Sequence, residues 1–133
     1  MRAKIIEIDS IKSLNIIRFQ LYSNDNILTM VSLELSNDIK IGREVKLAIK
    51  PTNIIISKDL NSNISCDNRL KAKIVEITNG KLLSSIKLDI DNDILESIIT
   101  YNSSKRLSLK VEDEVMIFIQ ATDLSIGEIC FKH

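Results

Sequence analysis

The hexapeptide AKIIEI at Ala3–Ile8 returns as AKIVEI at Ala72–Ile77, with five of six residues unchanged. A repeat spaced by half the chain limits the fold: what the first half builds, the second half builds again. The correspondence runs far beyond the hexapeptide. An offset of 69 carries IRFQL (Ile17–Leu21) onto IKLDI (Ile86–Ile90), and an offset of 68 carries ILTMVS (Ile27–Ser32) onto LESIIT (Leu95–Thr100). Two residues are missing from the first copy near Lys40. Beyond that gap an offset of 70 sets EVKLAIKPTNIII (Glu44–Ile56) on EVMIFIQATDLSI (Glu114–Ile126).

Each copy alternates apolar and polar residues over short runs, the pattern of half-buried strands. The runs are Lys4–Ile8, Ile17–Leu21, Ile27–Ser32, Val45–Ile49 and Ile54–Ile56, then Lys73–Ile77, Ile86–Ile90, Leu95–Thr100, Val115–Ile119 and Leu124–Ile126. Asn79-Gly80 marks a hairpin, and Asn24–Asn26 and Asp91–Asp93 mark further turns. A short helical turn is expected at Ser36–Ile39 and at Asn102–Leu107, the second capped by Thr100 or Asn102. Pro51 ends a ladder between the last two runs of the first copy. Five short strands and one helical turn in about 65 residues predict a small all-β barrel in each copy. The expected divisions are 1–59, a polar linker and lead-in at 60–69, and 70–133.

Composition narrows the function. Lys plus Arg and Asp plus Glu number 18 each, so no net field draws the chain to nucleic acid or an anionic membrane. Aromatic residues make up 4%, with no Trp, too few for base-stacking platforms. The only His is the last residue, which removes most imidazole chemistry. No nucleophile and base pair up, so an enzyme is not expected. Cys66 and Cys130 form no CxxC, and no metal site is expected. There is no secretory h-region and no run of about 18 apolar residues, so a soluble, cytoplasmic protein is expected.

Three segments of the second copy make the pattern specific: NRLKAKIVEITNG (Asn68–Gly80), LESIITYNSSKRLSLKVEDEV (Leu95–Val115) and FIQATDL (Phe118–Leu124). AKIIEI, LTMVSLELS, IGREV and AIKPTNIII repeat the set in the first copy. This ordered set resembles the Mop domain of the TOBE group, duplicated as in molbindins and in the C-terminal part of molybdate-responsive repressors. The resemblance implies two tandem OB-like barrels. It implies a non-catalytic binder of molybdate or tungstate, for storage, homeostasis or sensing, with the oxyanion as ligand and no organic cofactor. It also implies a homo-oligomer, a dimer or trimer.

The family holds its anion through a Ser-x-Arg lead-in, a Thr-x-x-Ser segment and a Lys-x-Ser/Thr segment. Thr100 and Ser103 match the Thr-x-x-Ser pair, and Lys50 and Thr52 match the Lys-x-Thr pair. In the other copies of these motifs Ser32 matches the Thr, with Leu35 in the Ser place, and Thr122 remains, with Gln120 in the Lys place. Ser65 fits the lead-in, with Asp67 where Arg is common. The complete set is thus split between copies, and Lys50 and Thr52 are expected to join Thr100, Ser103 and Ser65 in a composite site. Two other readings stand beside this one. The chain could be the regulatory tail of a molybdate transporter ATPase or repressor, or an OB-type nucleic-acid module, which the charge balance and few aromatics disfavour. For Thr100 and Ser103 the competing role is capping of the short helix, and for Lys50 it is that of a solvated strand-end lysine.

Overall fold

The computed structural model describes residues 1–131. Ten strands form: β1 (Arg2–Ile11), β2 (Leu14–Leu21), β3 (Ile27–Ser32), β4 (Glu44–Ile49), β5 (Ile55–Ser57), β6 (Asn68–Asn79), β7 (Leu83–Ile90), β8 (Asp93–Thr100), β9 (Glu114–Ile119) and β10 (Leu124–Cys130). One helix, α1 (Tyr101–Leu107), follows β8, and single 3-10 turns precede β5 (Pro51–Asn53) and β10 (Ala121–Asp123). No described helix is long and apolar enough to cross a membrane.

The strands form two five-stranded antiparallel sheets, ordered β10-β4-β1-β2-β3 and β5-β9-β6-β7-β8. Each is a curled, OB-like half-barrel, and together they make the expected tandem all-β fold. The compact units are not those expected from the repeat boundaries 1–59 and 70–133. Unit 1 is Met1–Ile49 with the chain from Gln120 onward, and unit 2 is Lys50–Ile119. The last strand of each repeat pairs with the sheet of the other: β5 runs along β9 and β10 along β4. The physical reason is that Ile54–Ile56 and Leu124–Ile126 carry the same short apolar pattern, and an edge strand of that kind satisfies either sheet.

Inside each unit the inward residues of alternating strands make the core. Ala3, Ile5, Ile17, Phe19, Leu21 and Val45 are buried in unit 1, and Ala72, Ile74, Ile86, Leu88, Ile90 and Val115 in unit 2. These are the same positions read at offsets of 69 and 70. Both first strands break register at one place, between Ile5 and Glu7 and between Ile74 and Glu76. Such a bulge bends and twists the strand, as a sheet that curls needs. The backbone of Ile5 is bonded to Arg43 and Gly42 (2.9 and 2.8 Å), and that of Ile74 to Asp113 and Glu112 (2.9 and 2.8 Å).

The turn that supplies those partners needs a left-handed residue. In unit 1 it is Gly42, φ 92°, and in unit 2 it is Glu112, φ 80°. Glu112 compensates in part with an ion pair to Lys73 (2.6 Å), whose amino group it holds above its usual pKa. A second correspondence is a swap. Ser10 donates to the Asn15 side chain at 2.6 Å, while at the equivalent sites Ser84 donates to Asn79 at 2.7 Å. Serine and asparagine have exchanged strands while the bond is kept.

The helical turns differ between copies. The turn expected at Asn102–Leu107 forms as α1 (Tyr101–Leu107) with Thr100 as its cap, but Ser36–Ile39 closes only as a turn, with Ile39 N–H donating to Ser36 O at 3.0 Å. Ser32 helps to divert the chain there: its hydroxyl bonds both the N–H and the carbonyl of Glu34, a local alternative to helix.

Gly42→Ala meets open space but a strained φ, so it should lower stability by about 1–2 kcal/mol. Phe19→Ala, at a fully buried site, should lower it by about 3–5 kcal/mol. Urea denaturation followed by circular dichroism checks both values and their order.

Candidate functional site

Strand β8 ends at Thr100, an extended residue whose hydroxyl accepts from the Ser103 N–H at 3.1 Å. Thr100 is therefore the N-cap of α1, which satisfies one of the helix's free N–H groups. The same hydroxyl donates to Ser103 Oγ at 3.0 Å. The two side chains are thus fixed against each other before any ligand arrives. Ser108, in the left-handed region, closes the other end of α1 and donates back to Lys105 and Ser104.

Facing them is the turn Pro51–Asn53. Lys50 is extended, its carbonyl accepts from Asn53 N–H at 2.9 Å, and Pro51 presets the turn dihedral. Ile54, at the end of the turn, is fastened by Ser97, a fully buried residue of β8 whose hydroxyl donates to Ile54 O at 2.8 Å. This bond seats the turn on β8 and brings Thr52 to the Thr100 end of the strand. A groove of about 420 Å³ results, with Thr52, Thr100, Ser103 and Arg106 as its polar lining and Ile55, Leu83, Ile98 and Leu107 among its apolar lining. It lies wholly within unit 2.

Of the residues expected to form a composite site, Thr52, Thr100 and Ser103 meet in this groove. Lys50 is exposed and precedes the turn, two residues from Thr52, outside the lining. Ser65 lies in an exposed bend and does not line the groove. Ser32 and Thr122 belong to unit 1, where the turn Ala121–Asp123 packs on β3 as Pro51–Asn53 packs on β8. The Ser32 hydroxyl is committed to Glu34, 2.6 Å from its carbonyl, and no helix follows it. The capping role of Thr100 and Ser103 is real, and it coexists with their place in the groove.

Arg106 was not among the expected residues. It lies inside the segment Leu95–Val115 but at none of the three anion-contact motifs read from the sequence. The signal that points to it is helical spacing: three residues after Ser103, it shares that side chain's face of α1. Among the described residues its guanidinium forms no ion pair.

Residues 64–126 match the family model of the TOBE domain. The second half of the chain is thus matched as a TOBE domain. A crystal structure of the cytoplasmic molybdate-binding protein ModG, with molybdate bound, is similar over 96% of this chain and 93% of that one, at 18% identity and a TM-score of 0.87. That likeness establishes the tandem fold. A molybdate-binding protein from Sporomusa ovata is 32% identical, covering 45% of this chain and 90% of that one, with a TM-score of 0.44. No curated protein sequence matches the chain. The matched TOBE segment contains β6 to β9, α1 and the turn before β10, and so holds Thr100, Ser103 and Arg106. Thr52 comes from outside it, delivered by the strand that the first repeat contributes.

Because Ser97 seats that delivery, Ser97→Ala leaves the Ile54 carbonyl buried without its partner. It should cost about 1–3 kcal/mol of stability, read from the urea midpoint. An unchanged midpoint would show that the turn is held some other way.

Proposed function

We propose that this TOBE protein is a non-catalytic oxyanion binder that takes molybdate or tungstate in the groove of unit 2. The observation that carries the reading is the meeting of three hydroxyls, those of Thr52, Thr100 and Ser103, brought by two separate elements beside a cation. A tetrahedral dianion is held without proton transfer or covalent bonding, by short donors and nearby positive charge. Fixed hydroxyls supply directional hydrogen bonds, and Lys50, at the start of the turn, supplies charge. The fold shared with ModG and the TOBE domain match over residues 64–126 support the choice of anion. In the cytoplasm such a protein serves molybdate or tungstate storage, homeostasis or sensing.

Large apolar side chains on the surface support a homo-oligomer, a dimer or trimer. Leu82 is 82% exposed, Ile11 75% and Leu33 68%. Light scattering should report two or three chains per particle, and a monomer at high concentration overturns this part of the reading.

The site is tested by calorimetric titration with molybdate, tungstate and sulfate. Molybdate or tungstate should bind and sulfate should compete weakly. Charge-assisted hydrogen bonds contribute roughly 1.5–3 kcal/mol, against about 1 for neutral ones. Lys50→Ala should therefore weaken binding about ten- to a hundredfold, and Thr100→Ala less, with both variants folded. Binding of neither oxyanion in sulfate-free buffer overturns the proposal.

A further inference from the structure

The two units are built alike but charged differently where an anion would sit. In unit 2 Lys50 leads the turn and Arg106 lines the groove. The repeat offsets of 70 and 68 set Gln120 in the place of Lys50 and Asp38 in the place of Arg106. They also set Leu35 in the place of Ser103. By sequence, unit 2 carries two cations and a paired hydroxyl where unit 1 carries an amide, a carboxylate and an aliphatic side chain, and unit 1 forms no helix there to present them. A dianion gains from the first set and finds no cation in the second. The remaining hydroxyl of unit 1's strand, that of Ser32, is already bonded to Glu34.

Arg106 has a bland alternative use, as a cation in the last turn of α1 favoured by the helix dipole. Lys105 stands in the same turn and supplies that charge already. Arg106 is the member of the pair that lines the groove. Its planar guanidinium presents paired donors, a geometry suited to two oxygens of one tetrahedral anion. Ile55, Leu83, Ile98 and Leu107 give the groove an apolar flank.

We infer that Arg106 is a specificity-determining residue of the unit 2 groove, that it and Lys50 select a dianion there, and that unit 1 has no working counterpart, so each chain binds one oxyanion tightly. The inference deepens the proposed function and rests on it.

The test is calorimetric titration of the full chain with sodium molybdate in sulfate-free buffer, on the native protein and on Arg106→Gln, Arg106→Lys and Asp38→Asn, with the urea midpoint of each. The native chain should take one equivalent. Arg106→Gln should weaken binding about ten- to a hundredfold at an unchanged midpoint. Arg106→Lys should recover part of the loss, and Asp38→Asn should titrate like the native protein. If the native chain binds and Arg106→Gln binds equally well, the inference fails while the proposed function stands. Two equal sites per chain also overturn it. A loss that tracks a falling midpoint, with no recovery in Arg106→Lys, assigns Arg106 to helix stability instead. A native chain that binds no oxyanion ends both readings.

Discussion

The hydroxyl of Ser97 carries an unusual share of this structure. It is fully buried in β8, and its one bond goes to the carbonyl of Ile54, forty-three residues away in sequence. Without a partner that carbonyl would sit buried and unsatisfied, so the bond decides where the turn Pro51–Asn53 rests. Where the turn rests decides where Thr52 points, and β5 follows directly into its pairing with β9. The opposite wall of the groove is set independently by the Thr100 cap of α1. Two local hydrogen-bond systems, each explicable alone, thus converge on one small volume. Groups held in place in this way lose little further freedom when a groove is filled.

Duplication explains the common frame, and divergence shows which parts of it are physical necessities. The bulge after Ile5 and Ile74 is kept, because each sheet must curl. The left-handed turn residue is kept in conformation but not in identity: Gly42 fills it without strain, and Glu112 fills it with an ion pair to Lys73. The serine–asparagine bond is kept with its members exchanged between strands. The helix is not kept. Ser32 turns on itself where Thr100 caps, and the first copy is two residues shorter just beyond. The framework tolerates loss of the helix because the strands, not the helix, bury the core.

Much of the fold was legible in the sequence, since alternation exposes strands and a fixed offset exposes a repeat. The Thr100 cap and the Asn79-Gly80 turn could be read from local chemistry. The destination of the final strand of each repeat could not. Ile54–Ile56 and Leu124–Ile126 look alike, and nothing local in either says which sheet it will join. That choice moved the unit boundaries from 59 and 70 to Ile49 and Ile119. It also placed Lys50 and Thr52 with β8, so the composite grouping of Thr52, Thr100 and Ser103 emerged while Ser65 stayed apart. Arg106 escaped notice because a motif set describes what copies share, and this arginine is what one copy has alone.

The overall charge balance hides this local asymmetry. Lysines and glutamates pair across the sheets, as in Lys71 with Glu114, Lys87 with Glu76 and Lys46 with Glu128. Exposed pairs like these contribute only about 0–1 kcal/mol each to stability. Their larger effect is to cancel one another's fields over most of the surface. Screening in physiological salt confines what remains to about 8 Å. A net charge of zero therefore says little about any one groove. Charge at the groove of unit 2 is set instead by Arg106, whose guanidinium forms no ion pair among the described residues, beside the hydroxyls of Thr52, Thr100 and Ser103. A neutral chain can in this way carry a groove that is locally positive.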